Sequence, residues 1–134
     1  MINPEQRSAI IQAALAARTK AYAPYSNYAV GAALLTRSGK IFSGVNVENS
    51  SYPLTLCAER TAVVKAVSEG EREFLAIAVA TEDGGSPCGA CRQVLAEFGL
   101  DLLVLMINAQ GNVIHEVNLR ELLPYAFYLR HENP

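Results

Sequence analysis

Phe74-Leu75-Ala76-Ile77-Ala78-Val79-Ala80-Thr81 is a run of eight residues without a charge, and Ser86-Pro87-Cys88-Gly89-Ala90-Cys91 follows shortly after it. So short and continuous an apolar run reads as a strand buried on both faces. Ser86 can cap a helix with Pro87 at its first position, reaching about Phe98 before Gly99 stops it. Leu102 to Ile107 is then another buried strand. Upstream, Thr55 can cap a helix over 56–69 that Gly70 ends. Val30 to Thr36 and Ile41 to Val47 read as a hairpin turning at Ser38-Gly39. Residues 4–20 place Ile10, Ile11, Ala14 and Leu15 at helical spacing, and Pro24 makes 21–26 a loop. Val113 to Val117 is a candidate fifth strand, and 119–127 a short helix. Strands alternating with helices imply an α/β fold whose sheet is covered on both faces, in one domain spanning 1–134.

The chemistry-bearing residues cluster at the two inner helix starts. The chain has three cysteines, Cys57, Cys88 and Cys91, and all stand there. Cys57 is placed in the first turn of one helix, and Cys88 and Cys91 in the first turn of the next. Both helices follow sheet elements, so their N-termini can meet at one sheet edge. Cys88 and Cys91 are three apart and share a helical face. Helix N-termini carry partial positive charge and free N–H groups, which favour the thiolate, the form that binds metal. Three sulfurs with an open fourth position for water are a catalytic zinc arrangement; a structural site takes four protein ligands. Glu59, two residues after Cys57, stays close without joining the donors and can carry protons. Three thiolates on a divalent ion leave one net negative charge, which Arg60 can offset by hydrogen bonding to sulfur.

Plainer readings compete with this one. Cys88 and Cys91 alone could be a redox pair, but that leaves Cys57 unexplained. A structural site could recruit His115 or His131 as a fourth ligand. A glutamate on a helix is usually a solvated face residue.

Composition narrows the partners. The formal charge is −2, so the chain lacks the basic surplus that polynucleotide binders use to neutralise phosphates. No apolar run approaches the roughly 18 residues of a membrane span. Met1 to Arg7 shows no basic region followed by an apolar block, and the C-x-x-C pair suits a reducing compartment, so the expected location is cytoplasmic. Hydrophobic residues make up 51% of the chain, which suggests apolar surface covered by another subunit.

The motifs together resemble the cytidine deaminase family, in its short, homotetrameric form, over nearly the whole chain. The resemblance is carried by Ala23-Pro24-Tyr25-Ser26, Val30-Gly31-Ala32-Ala33-Leu34, Asn46-Val47-Glu48-Asn49, Cys57-Ala58-Glu59-Arg60-Thr61-Ala62 and Ser86-Pro87-Cys88-Gly89-Ala90-Cys91-Arg92-Gln93. It implies a three-layer α/β/α sandwich around a mixed five-stranded sheet and one zinc per subunit. It also implies hydrolysis of cytidine or deoxycytidine to uridine or deoxyuridine plus ammonia, in pyrimidine salvage. Cys57, Cys88 and Cys91 then correspond to zinc ligands and Glu59 to the proton shuttle. Asn46 and Glu48 correspond to a ribose-binding pair; residues two apart on a strand do face the same way, although a polar strand end looks the same. The backbone around Ala58 and the Cys88 region would hold the pyrimidine's polar edge. Phe127 corresponds to an aromatic that reaches a neighbour's active site, where a plain core residue is the alternative. Tyr28 stands where the family usually has phenylalanine, and its ring can still stack on a base. The rivals are deamination of another aminated pyrimidine nucleoside or antibiotic analogue, and a non-catalytic zinc-stabilised interaction module.

Overall fold

The computed structural model describes residues 2–129. Its elements run α1 (Pro4–Arg18), β1 (Gly31–Thr36), β2 (Ile41–Val45), α2 (Ala58–Ser68), β3 (Phe74–Ala80), α3 (Gly89–Ala96), β4 (Leu103–Ile107), β5 (Val113–Asn118) and α4 (Leu119–Leu122), with a 3-10 turn at Tyr52–Leu54. The strands form one mixed five-stranded sheet in the order β2-β1-β3-β4-β5. The β3–β4 pair is parallel and every other pair antiparallel.

Side chains alternate across this sheet, and that alternation makes three layers. Ala33, Leu35, Ala76, Ala78, Leu105 and Ile107 pack with Ile10 and Ala14 of α1 on one face. Ala32, Leu34, Ile77, Val79, Val104 and Met106 pack with Ala62, Val63, Leu95 and Leu119 of α2, α3 and α4 on the other. The central strands are buried on both sides, which explains why the run from Phe74 carries no charge.

Several boundaries differ from the sequence expectation, each for a local reason. Cys57 and Cys88 are the N-caps of α2 and α3, so neither lies within a first turn, and Thr55 and Ser86 do not cap. Thr55 Oγ1 instead accepts from the Asn49 N–H, and Ser86 Oγ accepts from Arg92 Nη2. The helix expected over 119–127 is cut to its first turn. Pro124 lacks an N–H and disfavours helical geometry at Leu123, which sits at φ −142°. β2 stops at Val45, and Val47 is held instead by isolated bridges to Tyr22 and Leu56.

Gly44 sets the seat of α2. A Cβ there would lie 2.4 Å from the Ala58 carbonyl oxygen and 2.5 Å from the Ala62 nitrogen, both backbone atoms of that helix. Gly44→Ala must therefore push α2 off the sheet. The expected cost is about 1–3 kcal/mol, read as a lower urea midpoint. An unchanged midpoint would show that α2 is not held this closely.

Candidate active site: three cysteines and a buried glutamate

The cysteines arrive at one point because two helices start there. Cys57 caps α2 after the Val47–Leu56 bridge, and Cys88 caps α3 after the loop that leaves β3. Cys91 lies inside the first turn of α3 and is fully buried. Neither cap residue makes a side-chain bond to its helix, so the unpaired N–H groups and the positive ends of both helices remain near the sulfurs. A serine or threonine would have capped better; the chain gives up that bond at both positions.

The three sulfurs lie within 4.8 Å of one another. Cys57 Sγ and Cys88 Sγ are 3.9 Å apart. Two thiolates each about 2.3 Å from one tetrahedral ion stand about 3.8 Å apart, which the Cys57–Cys88 spacing matches. Arg60 Nη2 donates to Cys57 Sγ at 3.3 Å, and Arg60 Nε is buried with no partner. Anionic sulfur is the neighbour such a guanidinium needs. The Cys57 thiol is pulled down to about 5, chiefly because Cys91 donates to it, with Arg60 helping. Cys91 is pushed up by that same bond and by its burial. All three cysteines are free of disulfides. Among the described residues no histidine joins the cluster: His115 lies on edge strand β5, and His131 lies outside the described residues.

Glu59 is not on a solvated face. It is 4% exposed in the first turn of α2 and lines the same cleft as Cys57 and Cys88. Burial pushes its carboxyl up to about 7; its own backbone N–H and Arg60 oppose the shift, and Cys57 adds to it. Ala58, beside it, is fully buried, with its methyl in the core; as the first helical residue it has an N–H without an intrahelical partner.

The cleft holds about 250 Å³, room for a small ring system. Asn46, Glu48 and Tyr28 line it with the cysteines and Glu59, although far apart in sequence. Asn46 and Glu48 are buried and flank exposed Val47, as strand alternation expects. Both also brace the loop opposite. Asn46 Oδ1 accepts from the Val30 N–H at 3.0 Å, and its Nδ2 donates to the Tyr28 carbonyl at 2.8 Å. Glu48 accepts from the Tyr25 and Ser26 N–H groups and from the Ser26 hydroxyl. That last bond, with the N–H bonds, holds its carboxyl below the usual carboxylate range. An amide and a carboxylate retain further bonding capacity toward a ligand.

Ser26, Val30, Tyr52, Thr55, Val79, Thr81 and Ser86 complete the lining, and the sequence placed none of them in the site. Ser26 carried a signal, since it follows Tyr25 in a motif already singled out. Thr81 and Tyr52 carried none. Phe127 does not line this cleft: it is 66% exposed, with its carbonyl held by Gln93 Nε2 at 3.0 Å.

Three sulfurs at two helix ends with one side open to a cleft, beside a buried carboxylate, offer the kind of donor set that a catalytic zinc centre uses. The family model for the cytidine and deoxycytidylate deaminase zinc-binding region matches residues 4–107. A cytidine deaminase from Halalkalibacterium halodurans is 52% identical, the match covering 90% of this chain and 93% of that one. Another, from Sporosarcina psychrophila, is 54% identical over 83% of each. The crystal structure of cytidine deaminase from Burkholderia pseudomallei superposes with a TM-score of 0.85 at 56% identity, covering 90% of this chain and 98% of that one. The chain belongs to the cytidine deaminase family, and zinc is its metal.

Proposed function

We propose that this chain hydrolyses free cytidine and deoxycytidine to uridine and deoxyuridine, releasing ammonia. The observation that carries the reading is the shared cleft: Glu59, two of the three clustered cysteines, and the polar pair Asn46 and Glu48 line one space of nucleoside size. Cys57, Cys88 and Cys91 would hold zinc, which when bound supplies Lewis acidity and lowers the pKa of a water at its open position. Arg60 spreads the excess negative charge of the sulfurs. Glu59 takes one proton of the attacking water and delivers it to N3 of the pyrimidine, then carries the remaining hydroxyl proton to the amino group at C4; the C4–N bond breaks and ammonia leaves. Water oxygen ends on C4, so the atoms balance. Asn46 and Glu48 bind the sugar hydroxyls, Tyr28 lies against the base, and the backbone near Ala58 and Cys88 takes its polar edge.

The substrate class is tested by offering cytidine, deoxycytidine and a single-stranded oligonucleotide at equal cytosine concentration. Turnover of the nucleosides with little conversion of the oligonucleotide is the expected outcome, in keeping with a net charge of −2. Comparable conversion of the oligonucleotide contradicts it. Among the described residues no helix is long and apolar enough to cross a membrane.

The reading extends to a cytoplasmic homotetramer in pyrimidine salvage, with active sites completed by neighbours. What supports the assembly is the exposed apolar end of the chain, Tyr125, Phe127, Tyr128 and Leu129, and the apolar groove between α2 and α3 lined by Val63, Val64, Val67, Val94 and Phe98. Phe127→Ala should raise KM for cytidine about tenfold, roughly 1.4 kcal/mol of lost apolar wall, while zinc content stays unchanged. Light scattering at micromolar concentration checks the premise. A fully active monomer rejects shared sites.

A further inference from the structure

Tyr28 is 41% exposed at the lip of the cleft, yet its hydroxyl is not left to solvent. It donates to Asp83 Oδ1 at 2.9 Å. Asp83 belongs to the loop between β3 and α3, the loop that delivers Cys88. Thr81, buried at the start of this loop, donates to the same Asp83 oxygen at 3.3 Å and accepts from the Gly84 and Gly85 N–H groups, each at 2.8 Å. Gly85 leaves the space the phenol needs: a Cβ there would lie 3.0 Å from the Tyr28 hydroxyl oxygen. Thr81 and Ser86 of this loop line the cleft with Tyr28.

A second tie runs behind the first. Arg18 Nε donates to the Ala29 carbonyl at 3.0 Å, and its Nη2 pairs with Glu82 at 2.9 Å. Arg18 thus anchors the backbone of the lip to the loop, whereas Asp83, with the Thr81 hydroxyl beside it, reaches the ring's far end. A tyrosine tethered only through its backbone would sample its ring rotamers at the surface. A charge-assisted bond from the ring's far end removes most of that freedom.

We propose that Asp83 is a positioning residue for the nucleoside, acting through the Tyr28 hydroxyl to fix the ring that walls the cleft and to brace the 81–87 loop before Cys88. Phenylalanine at position 28 would keep the ring and lose the clamp. The part of this that concerns substrate rests on the nucleoside reading above; the bracing of the loop does not.

The test compares Tyr28→Phe, Asp83→Ala, Asp83→Asn and the double variant Tyr28→Phe/Asp83→Ala in the zinc-loaded enzyme. Tyr28→Phe and Asp83→Ala should each raise KM for cytidine about three- to tenfold, the range of one net hydrogen bond, with kcat changed less than about twofold. The double variant should be no worse than Asp83→Ala alone, because that change has already removed the Tyr28–Asp83 bond. Asp83→Asn should recover most of the affinity, since its amide oxygen still accepts. Hydrogen exchange of amides 82–86 should quicken in Tyr28→Phe and Asp83→Ala. Wild-type KM in both single variants, multiplicative losses in the double, or unchanged exchange overturns the clamp. If the wild-type enzyme itself fails to deaminate cytidine, the nucleoside reading falls and exchange alone decides: faster exchange upholds the clamp, wild-type exchange removes it.

Discussion

Glu59→Gln should release ammonia at least about 10²-fold more slowly than the wild type, while keeping its zinc and still binding cytidine. Glutamine fills the same volume and can still hydrogen bond, but it cannot accept and return a proton at neutral pH. Glu59 is buried beside the cysteine cluster, so bulk water cannot easily stand in for it. The substitution also removes a carboxyl whose charged form burial disfavours, so the fold should not suffer. Equal thermal midpoints with lost turnover would separate chemistry from folding. Turnover near that of the wild type would end the proton-shuttle role.

Loss of metal is the second large effect. Cys57→Ala, Cys88→Ala and Cys91→Ala should each fall below about a tenth of wild-type zinc after dialysis, because two donors cannot fix the ion. The three positions differ in ways that make the comparison informative. Cys88 is exposed, so its loss should barely touch packing. Cys91 is fully buried, and alanine leaves a small void, so some stability is lost along with metal. Cys57 takes an Arg60 hydrogen bond at 3.3 Å, and alanine there leaves that Nη2 only its longer bond to the Thr55 carbonyl. Atomic emission gives zinc per subunit directly. Near-full occupancy in any one variant removes that cysteine from the metal site.

Much of the fold was legible because its central strands, Phe74–Ala80 and Leu103–Ile107, are buried on both faces and the sequence writes that as unbroken apolar runs. The gathering of Cys57, Cys88 and Cys91 was legible because each lies at a helix start next to the sheet. The caps were not. Thr55 and Ser86 are better capping residues by propensity, and the chain places cysteine there because three sulfurs have to converge, a demand no local window contains. The stop at Leu123 was legible in Pro124 and was missed. The start of α1 at Pro4 was read correctly, but the capping box that Asn3 and Gln6 form there was not. What local reading could not supply was pairing across long separations. Glu48 meets Ser26 from 22 residues away, and Tyr28 meets Asp83 from 55. Such bonds exist only once β1, β2 and β3 lie side by side, and they decide how the lip of the cleft is held.

The most direct test follows one oxygen. Zinc-loaded protein is given cytidine in ¹⁸O-enriched water, and the product is weighed by mass spectrometry while ammonia is counted. The account predicts uridine carrying a single labelled oxygen, with one ammonia released for each uridine formed. Cytidine recovered unchanged from fully zinc-loaded, folded protein would contradict it.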